Sequence, residues 1–135
     1  MELPTYPSTS YRDVTPTIDR GAFGVLITGP EEVELGASCV IEGAFRISNE
    51  AREQIREEVH RSLSVVVTSR FEQRTIDPFR RFMLFEDDER REPGGCNGAF
   101  GIDLSSYGVF RNCGTYHVTV SLQTHTSNTL MLKIG

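Results

Sequence analysis

The amino-acid sequence predicts an all-β protein, built as an antiparallel sandwich, and three observations carry the prediction. Apolar and polar residues alternate with period two in several separate stretches; clusters of Gly, Pro, Asn and Ser divide those stretches; and only one segment has a helical spacing. Alternation with one apolar and one polar face suits two antiparallel sheets packed against each other.

Residues 1–20 hold three of the six prolines and many Ser and Thr without an apolar period, and are expected to form an extended arm. The domain proper is expected over 21–135. Phe23, Val25 and Ile27 alternate before the stop at Gly29-Pro30, and Val33 and Leu35 repeat the pattern briefly. Cys39, Ile41, Gly43, Phe45 and Ile47 then share one face, with Val40, Glu42, Ala44 and Arg46 on the other.

The next segment, "SNEAREQIREEVHRS", lacks Gly and Pro and spaces Ile55 and Val59 four apart, which predicts one inserted helix over about 49–62. Ser48 or Asn49 is placed to cap it, and Glu50 suits the positive end of the helix dipole. Its two apolar positions favour a lid over one open end of the sandwich against a partner-docking helix.

Leu63, Val65 and Val67 resume the alternation, a strand is predicted at 82–85, and the charged run to Pro93-Gly94-Gly95 reads as a solvated turn. Phe100, Ile102 and Leu104 share a face, as do Tyr116, Val118, Val120 and Leu122, with His117, Thr119 and Ser121 opposite. "HTSN" turns the chain into a last strand containing Leu130, Leu132 and Ile134.

Seven or eight short strands, one helical insertion and a closing hairpin fit the immunoglobulin-like topology best among sandwiches. The disulfide of that topology is missing, since Cys39 falls in the second strand but the partner position, two residues beyond Tyr116, is Val118. The expected core is Val25, Ile27, Leu35, Ile41, Phe45, Val65, Val67, Phe100, Ile102, Leu104, Tyr116, Val118, Val120, Leu122, Leu130 and Leu132.

A length of 135 residues suits one domain with a single core. The net charge of -5 argues against a nucleic-acid-binding surface and against a polybasic membrane patch. No stretch approaches the roughly 20 apolar residues of a membrane span. The N-terminus has neither the basic nor the apolar region of a signal peptide, so the expected location is cytoplasmic, or secreted if a leader has been removed. Three cysteines, an odd number, favour a reducing compartment. Cys39 is expected to be a buried thiol. Cys96 and Cys113 flank a strand of about 23 Å, against the roughly 7 Å that a disulfide spans, so three free thiols are expected.

The stretch "NCGTYHVTV" admits two readings. Cys113 and His117 lie four apart, as metal ligands can, with His125 and Met131 nearby in sequence. Alternatively Gly114 and Tyr116 open a buried strand, with the Tyr hydroxyl bonded back to the preceding loop as a tyrosine corner. If Tyr116 faces the core, His117 faces solvent, which favours the corner and implies no metal and no cofactor.

Residues 101–134, "GIDLSSYGVFRNCGTYHVTVSLQTHTSNTLMLKI", resemble bacterial and fungal immunoglobulin-like accessory domains, including the one that precedes the catalytic domain of deuterolysin-type zinc peptidases. Asp103, Leu104, Ser105, Tyr107, Gly114, Thr115, Tyr116, Ser127 and Asn128 carry the resemblance. It implies the sandwich fold and a structural motif. It implies no peptidase chemistry, because "EEVHRS" is not H-E-x-x-H and His60 has no second His one turn away.

No catalytic residue emerges elsewhere. "EPGGCNGAFG" lacks the Lys-Ser/Thr ending of a phosphate loop and reads as a hairpin turn, with Cys96 in the loop and no basic neighbour to activate it. Asp87, Asp88 and Glu89 suggest calcium, but Arg90 and Arg91 oppose a cation there. The function expected is therefore a non-enzymatic protein-interaction module acting through a sheet edge or end loops. An accessory or inhibitory domain acting on a hydrolase is one alternative. A carbohydrate or small-ligand binder using Tyr11, Phe79 or Tyr107 is the other.

Overall fold

Each long strand of the protein is apolar on one side, and the two sheets they form bury those sides against each other. The computed structural model describes residues 18, 22–77, 85–86 and 90–135. The arm expected over 1–20, apart from Ile18, lies outside the described residues, as do Phe79, the triplet 87–89 and positions 82–84 of an expected strand.

Among the described residues the strands are β1 (Gly24–Thr28), β2 (Glu32–Val33), β3 (Val40–Ile47), β4 (Leu63–Thr68), β5 (Gln73–Ile76), β6 (Phe85–Glu86), β7 (Arg90–Glu92), β8 (Gly95–Asp103), β9 (Gly114–Leu122), β10 (His125–Thr126) and β11 (Leu130–Ile134). The first sheet has the order β1-β3-β8-β6, with β7 also on β8; the second has the order β2-β11-β9-β4-β5, with β10 also on β9. All pairs are antiparallel except β2 with β11. The strands outnumber the seven or eight expected because β5, β7 and β10 were not foreseen: β5 is at most half-buried, β7 was read as a turn, and β10 has two residues, too short to show a period.

β3 and β8 form the spine of the first sheet, in register from Val40 opposite Asp103 to Ile47 opposite Cys96. β4 and β9 do the same in the second, from Leu63 opposite Leu122 to Thr68 opposite His117. Ile41, Phe45, Phe100 and Ile102 thereby meet Val65, Val118, Val120 and Leu122 in one core cluster, all nearly inaccessible to water. Full burial of each such side chain stabilises by about 1.5–3 kcal/mol, which is what holds the sheets face to face. Within the first sheet two phenylalanines lie opposite glycines, Phe45 across from Gly98 and Phe100 across from Gly43.

The helix is shorter than its sequence pattern. α1 spans Asn49–Gln54, with Ser48 as N-cap accepting from the Ala51 amide at 3.0 Å, and ends where Ile55 turns extended at ψ 120. A 3-10 turn follows at Val59–Ser62. The reason is the path: the chain leaves the first sheet at Ile47 and enters the second at Leu63, and both Ile55 and Val59 are buried on the way. Six residues are too few to form a helix unaided. α1 itself has no buried residue, so the apolar positions serve the core and none remains for a partner.

Other expectations are also corrected. Leu35 is 46% exposed because β2 ends at Val33 and the chain turns at once, with the Ala37 amide bonded to the Glu34 carbonyl. Leu130 is only partly buried. Phe23 lies at the surface instead of continuing the inner face of β1, its ring 5.0 Å from the Arg46 guanidinium. Arg46, expected on the polar face, is buried because it donates to the carbonyls of Ala22 and Gly94. Cys96 is no loop residue: it lies inside β8 and is buried. Arg90–Glu92, read as part of a solvated turn, form β7, which hairpins onto β8 across Pro93-Gly94. β5 had no counterpart in the sequence pattern, its four residues being at most half-buried.

Candidate functional site

The residues singled out from sequence act as ties between elements. Asp103 ends β8 and caps the 3-10 turn Leu104–Tyr107. Its Oδ1 accepts from the amides of Cys39 and Ser105, both at 3.0 Å, and from the Ser105 hydroxyl at 2.6 Å, fixing the start of β3 to the end of β8. Leu104 is fully buried, and Tyr107 packs half-buried against the core. Burial and the Asp103 charge both push the Tyr107 hydroxyl above its usual pKa.

Burial alone would raise the Asp103 pKa, but the hydrogen bonds from Ser105, Cys39 and Ser38 outweigh it and the carboxyl sits below its ordinary value. A lowered folded-state pKa means a contribution to stability that is whole above the unfolded aspartate value. It declines as pH falls from about 3.9 through the folded value. Asp103→Asn retains an acceptor oxygen and is expected to be less stable than the parent at neutral pH, with the gap closing as pH drops through that window. Urea unfolding of both proteins across acid pH checks this, and a gap independent of pH would contradict it.

Ser127 and Asn128 make the second tie. The buried Ser127 hydroxyl accepts from the Val120 amide and donates to the Asn128 carbonyl, both at 2.8 Å. The Asn128 side chain accepts from the Ile27 amide at 2.9 Å and donates to the Ile27 carbonyl at 3.0 Å, as a neighbouring strand would. Among the described residues β1 has a strand on one side only, and Asn128 covers part of the other side. The third tie is Tyr116, buried, whose hydroxyl donates to the Asn112 carbonyl at 2.7 Å and accepts from the Asn112 amide at 3.3 Å. Phe110 meets its ring edge-on at 4.9 Å. Gly114 contributes its φ of 148, a backbone that side chains rarely adopt; open space surrounds the place a Cβ would take.

The reactive side chains are dispersed. Cys39 is buried, and burial, aided by the charge of Asp103, pushes its thiol up to about 12. His60 is buried with Nε2 at 2.8 Å from the Ala99 carbonyl and its ring edge-on to Phe45. Cys113 and His117 are exposed, and none of the three cysteines forms a disulfide. Among the described residues no group of three or more His, Cys, Asp or Glu side chains is placed to hold a metal ion. None of their helices is long and apolar enough to cross a membrane.

What the sequence reading missed lies at one end of the second sheet, beside the start of β9. The turn joining β4 to β5 presents Phe71, 75% exposed, the most exposed of the large apolar side chains described. Ser69 holds this turn rigid: its amide donates to the Glu72 carbonyl at 2.9 Å, and its hydroxyl accepts from the amides of Phe71 and Glu72 at 3.2 and 3.3 Å. The Arg70 guanidinium stands 5.4 Å from the Phe71 ring. Between this turn and β9 runs a cleft of about 580 Å³ lined by Arg70, Phe71, Asn112, Cys113, Thr115 and His117 among others, with no carboxylate in its lining. His117 in turn stands opposite Met131, 59% exposed, on β11. The available signal was an aromatic inside a polar turn, "SRFE", just after the alternating run that ends at Thr68.

Across Gly114 and Thr115 the character reverses. A second groove of about 610 Å³ is lined by Glu32 and Glu34, with Lys133 between them and β9, and shares Gly114 and Thr115 with the first. The protein is thus an all-β sandwich of two sheets whose one end is cationic on one side and acidic on the other. No family model matches the chain, and no curated protein matches it.

Proposed function

We propose that this protein is a non-catalytic protein-interaction module on an immunoglobulin-like sandwich, docking its partner at the β4–β5 turn and the cleft beside it. The carrying observation is Phe71, three-quarters exposed on a turn that Ser69 pins in place. An aromatic on a hydrogen-bonded turn has less backbone freedom to lose on binding, and a few aromatic anchors dominate interface energies. The strand order supports the immunoglobulin-like reading: β1-β3-β8-β6 faces β2-β11-β9-β4-β5, the pattern of an A-B-E-D sheet on an A′-G-F-C-C′ sheet. The non-catalytic half of the reading is supported by the dispersal of the reactive groups, Cys39, Cys96 and His60 being buried in the packing while Cys113 and His117 are exposed beside the cleft with no third metal-ligating side chain grouped with them among the described residues.

Parallel affinity capture with the wild-type chain, Phe71→Ala and Arg70→Glu, read by quantitative mass spectrometry, tests the proposal. The expected result is a partner held by the wild type and weakened by roughly 2 kcal/mol or more in Phe71→Ala. Identical captured sets from all three proteins, each shown to be folded, would sink it.

A further inference from the structure

We infer that the occupant of this end is a second copy of the same chain, in a two-fold dimer; the inference rests on the reading of that end as a docking surface. The argument is complementarity within one molecule. On one flank stand the exposed Arg70 and Phe71, beside a cleft with no carboxylate in its lining, with the exposed Arg111 next in sequence to the lining residue Asn112. On the other flank stand Glu31, Glu32, Glu34 and Leu35, also exposed. Glu72 on the first flank is paired with Arg74, and Lys133 on the second is outnumbered by the three glutamates, so each flank offers an excess of one charge sign and one large apolar side chain, Phe71 at 75% and Leu35 at 46% exposure.

Topology places both flanks at the same end. β2 runs parallel to β11, so Glu34 and Leu35 follow it past Ile134, which is opposite Gly114; the Leu35 amide donates to the Gly135 carbonyl at 2.9 Å. Thr68 is opposite His117, so the turn carrying Arg70 and Phe71 also comes out beside the start of β9. In the order β2-β11-β9-β4 the flanks are three strand spacings apart, roughly 14 Å. A two-fold axis passing beside Gly114 and Thr115 exchanges the flanks. Arg70 and Phe71 of one copy then meet Glu34 and Leu35 of the other, and the same contact forms twice.

The charges are available for it. Lys133 stands opposite Glu32 in strand register without an ion pair between them among the described residues, and Glu34 lies just past the end of β2, beyond that position. Neither Arg70 nor Glu34 forms an ion pair among the described residues. In a chain of net charge -5, a surface that offers both signs to itself lowers the repulsion two copies otherwise feel.

Sedimentation velocity of the full chain over a concentration series provides the test, with Arg70→Glu, Glu34→Arg and the double variant alongside. The expected result is a wild-type dimer weakened about a hundredfold by either reversal, since like charges then face each other twice. The double variant restores the dimer, which a merely structural role for these exposed side chains would not produce. Added salt weakens the wild-type dimer for the same reason. A wild type that stays monomeric, or a dimer indifferent to the reversals, overturns the inference. A monomer that still captures a protein lost from Phe71→Ala overturns the dimer and leaves the docking surface standing. A monomer that captures nothing removes both.

Discussion

Replacing Tyr116 with alanine lowers the unfolding free energy by about 3–5 kcal/mol, while replacing it with phenylalanine costs only about 1 kcal/mol. The difference follows from what each change removes. The ring is buried and packed edge-on to Phe110, so deleting it opens a cavity beside β9 as well as exposing apolar surface. The hydroxyl's two hydrogen bonds both go to the backbone of Asn112, an exposed residue, and water can replace much of what the phenylalanine variant loses. His117→Ala, one residue along on the outward face, is expected to change stability by less than about 0.5 kcal/mol. A metal held by Cys113 and His117 demands the reverse order, with His117 the sensitive position and a chelator abolishing its effect. Denaturant melts of the three variants, with and without chelator, distinguish the two.

That contrast shows where sequence reasoning reached. The inward runs on β3, β4 and β9 were legible because burial of one face imposes period two along much of each strand, as the alternating burial of Leu63–Thr68 and of Tyr116–Leu122 confirms. Leu35 and Phe23 misled for the complementary reason: two alternating apolar residues fit a strand that the chain abandons after Val33, and fit a surface ring stacked on Arg46 equally well. The helix was overextended because Ile55 and Val59 have helical spacing, yet both are buried by a path whose second half is not α-helical. Asn128 as a substitute strand for β1 was hidden entirely, since its partner Ile27 lies 101 residues away in sequence. The end proposed for docking was hidden similarly. The two flanks belong to β2 and to the β4–β5 turn, and only the crossing of β11 and β9 between them brings their opposite charges to one end.

Gly43 was read only as one member of the inward face of β3, and the second large effect is expected there. A methyl group at Gly43 would stand 2.2 Å from the tip of the Phe100 ring and within 2.8 Å of two more of its carbons. Phe100 is fully buried, so the ring cannot swing aside without displacing the core around it. Alanine is otherwise favoured over glycine in a strand by about 0.5–1 kcal/mol, a gain the clash outweighs. Gly43→Ala is expected to destabilise by about 1–3 kcal/mol. Phe100→Ala is expected to destabilise by about 3–5 kcal/mol, because the emptied site faces Gly43 and no other side chain can fill it from that position. The double variant decides whether the ring is the cause. With Phe100 reduced to alanine, the methyl at position 43 enters vacated space, and its penalty should vanish, leaving the pair at least about 1 kcal/mol more stable than the two single effects summed. Gly98→Ala, whose methyl would meet Phe45 at 2.6 Å, should follow the same rule with Phe45 and be milder than Gly43→Ala. Urea unfolding at constant m-value measures all of these, and simple additivity at the 43–100 pair would show that the glycine is there for some reason other than the phenylalanine across from it.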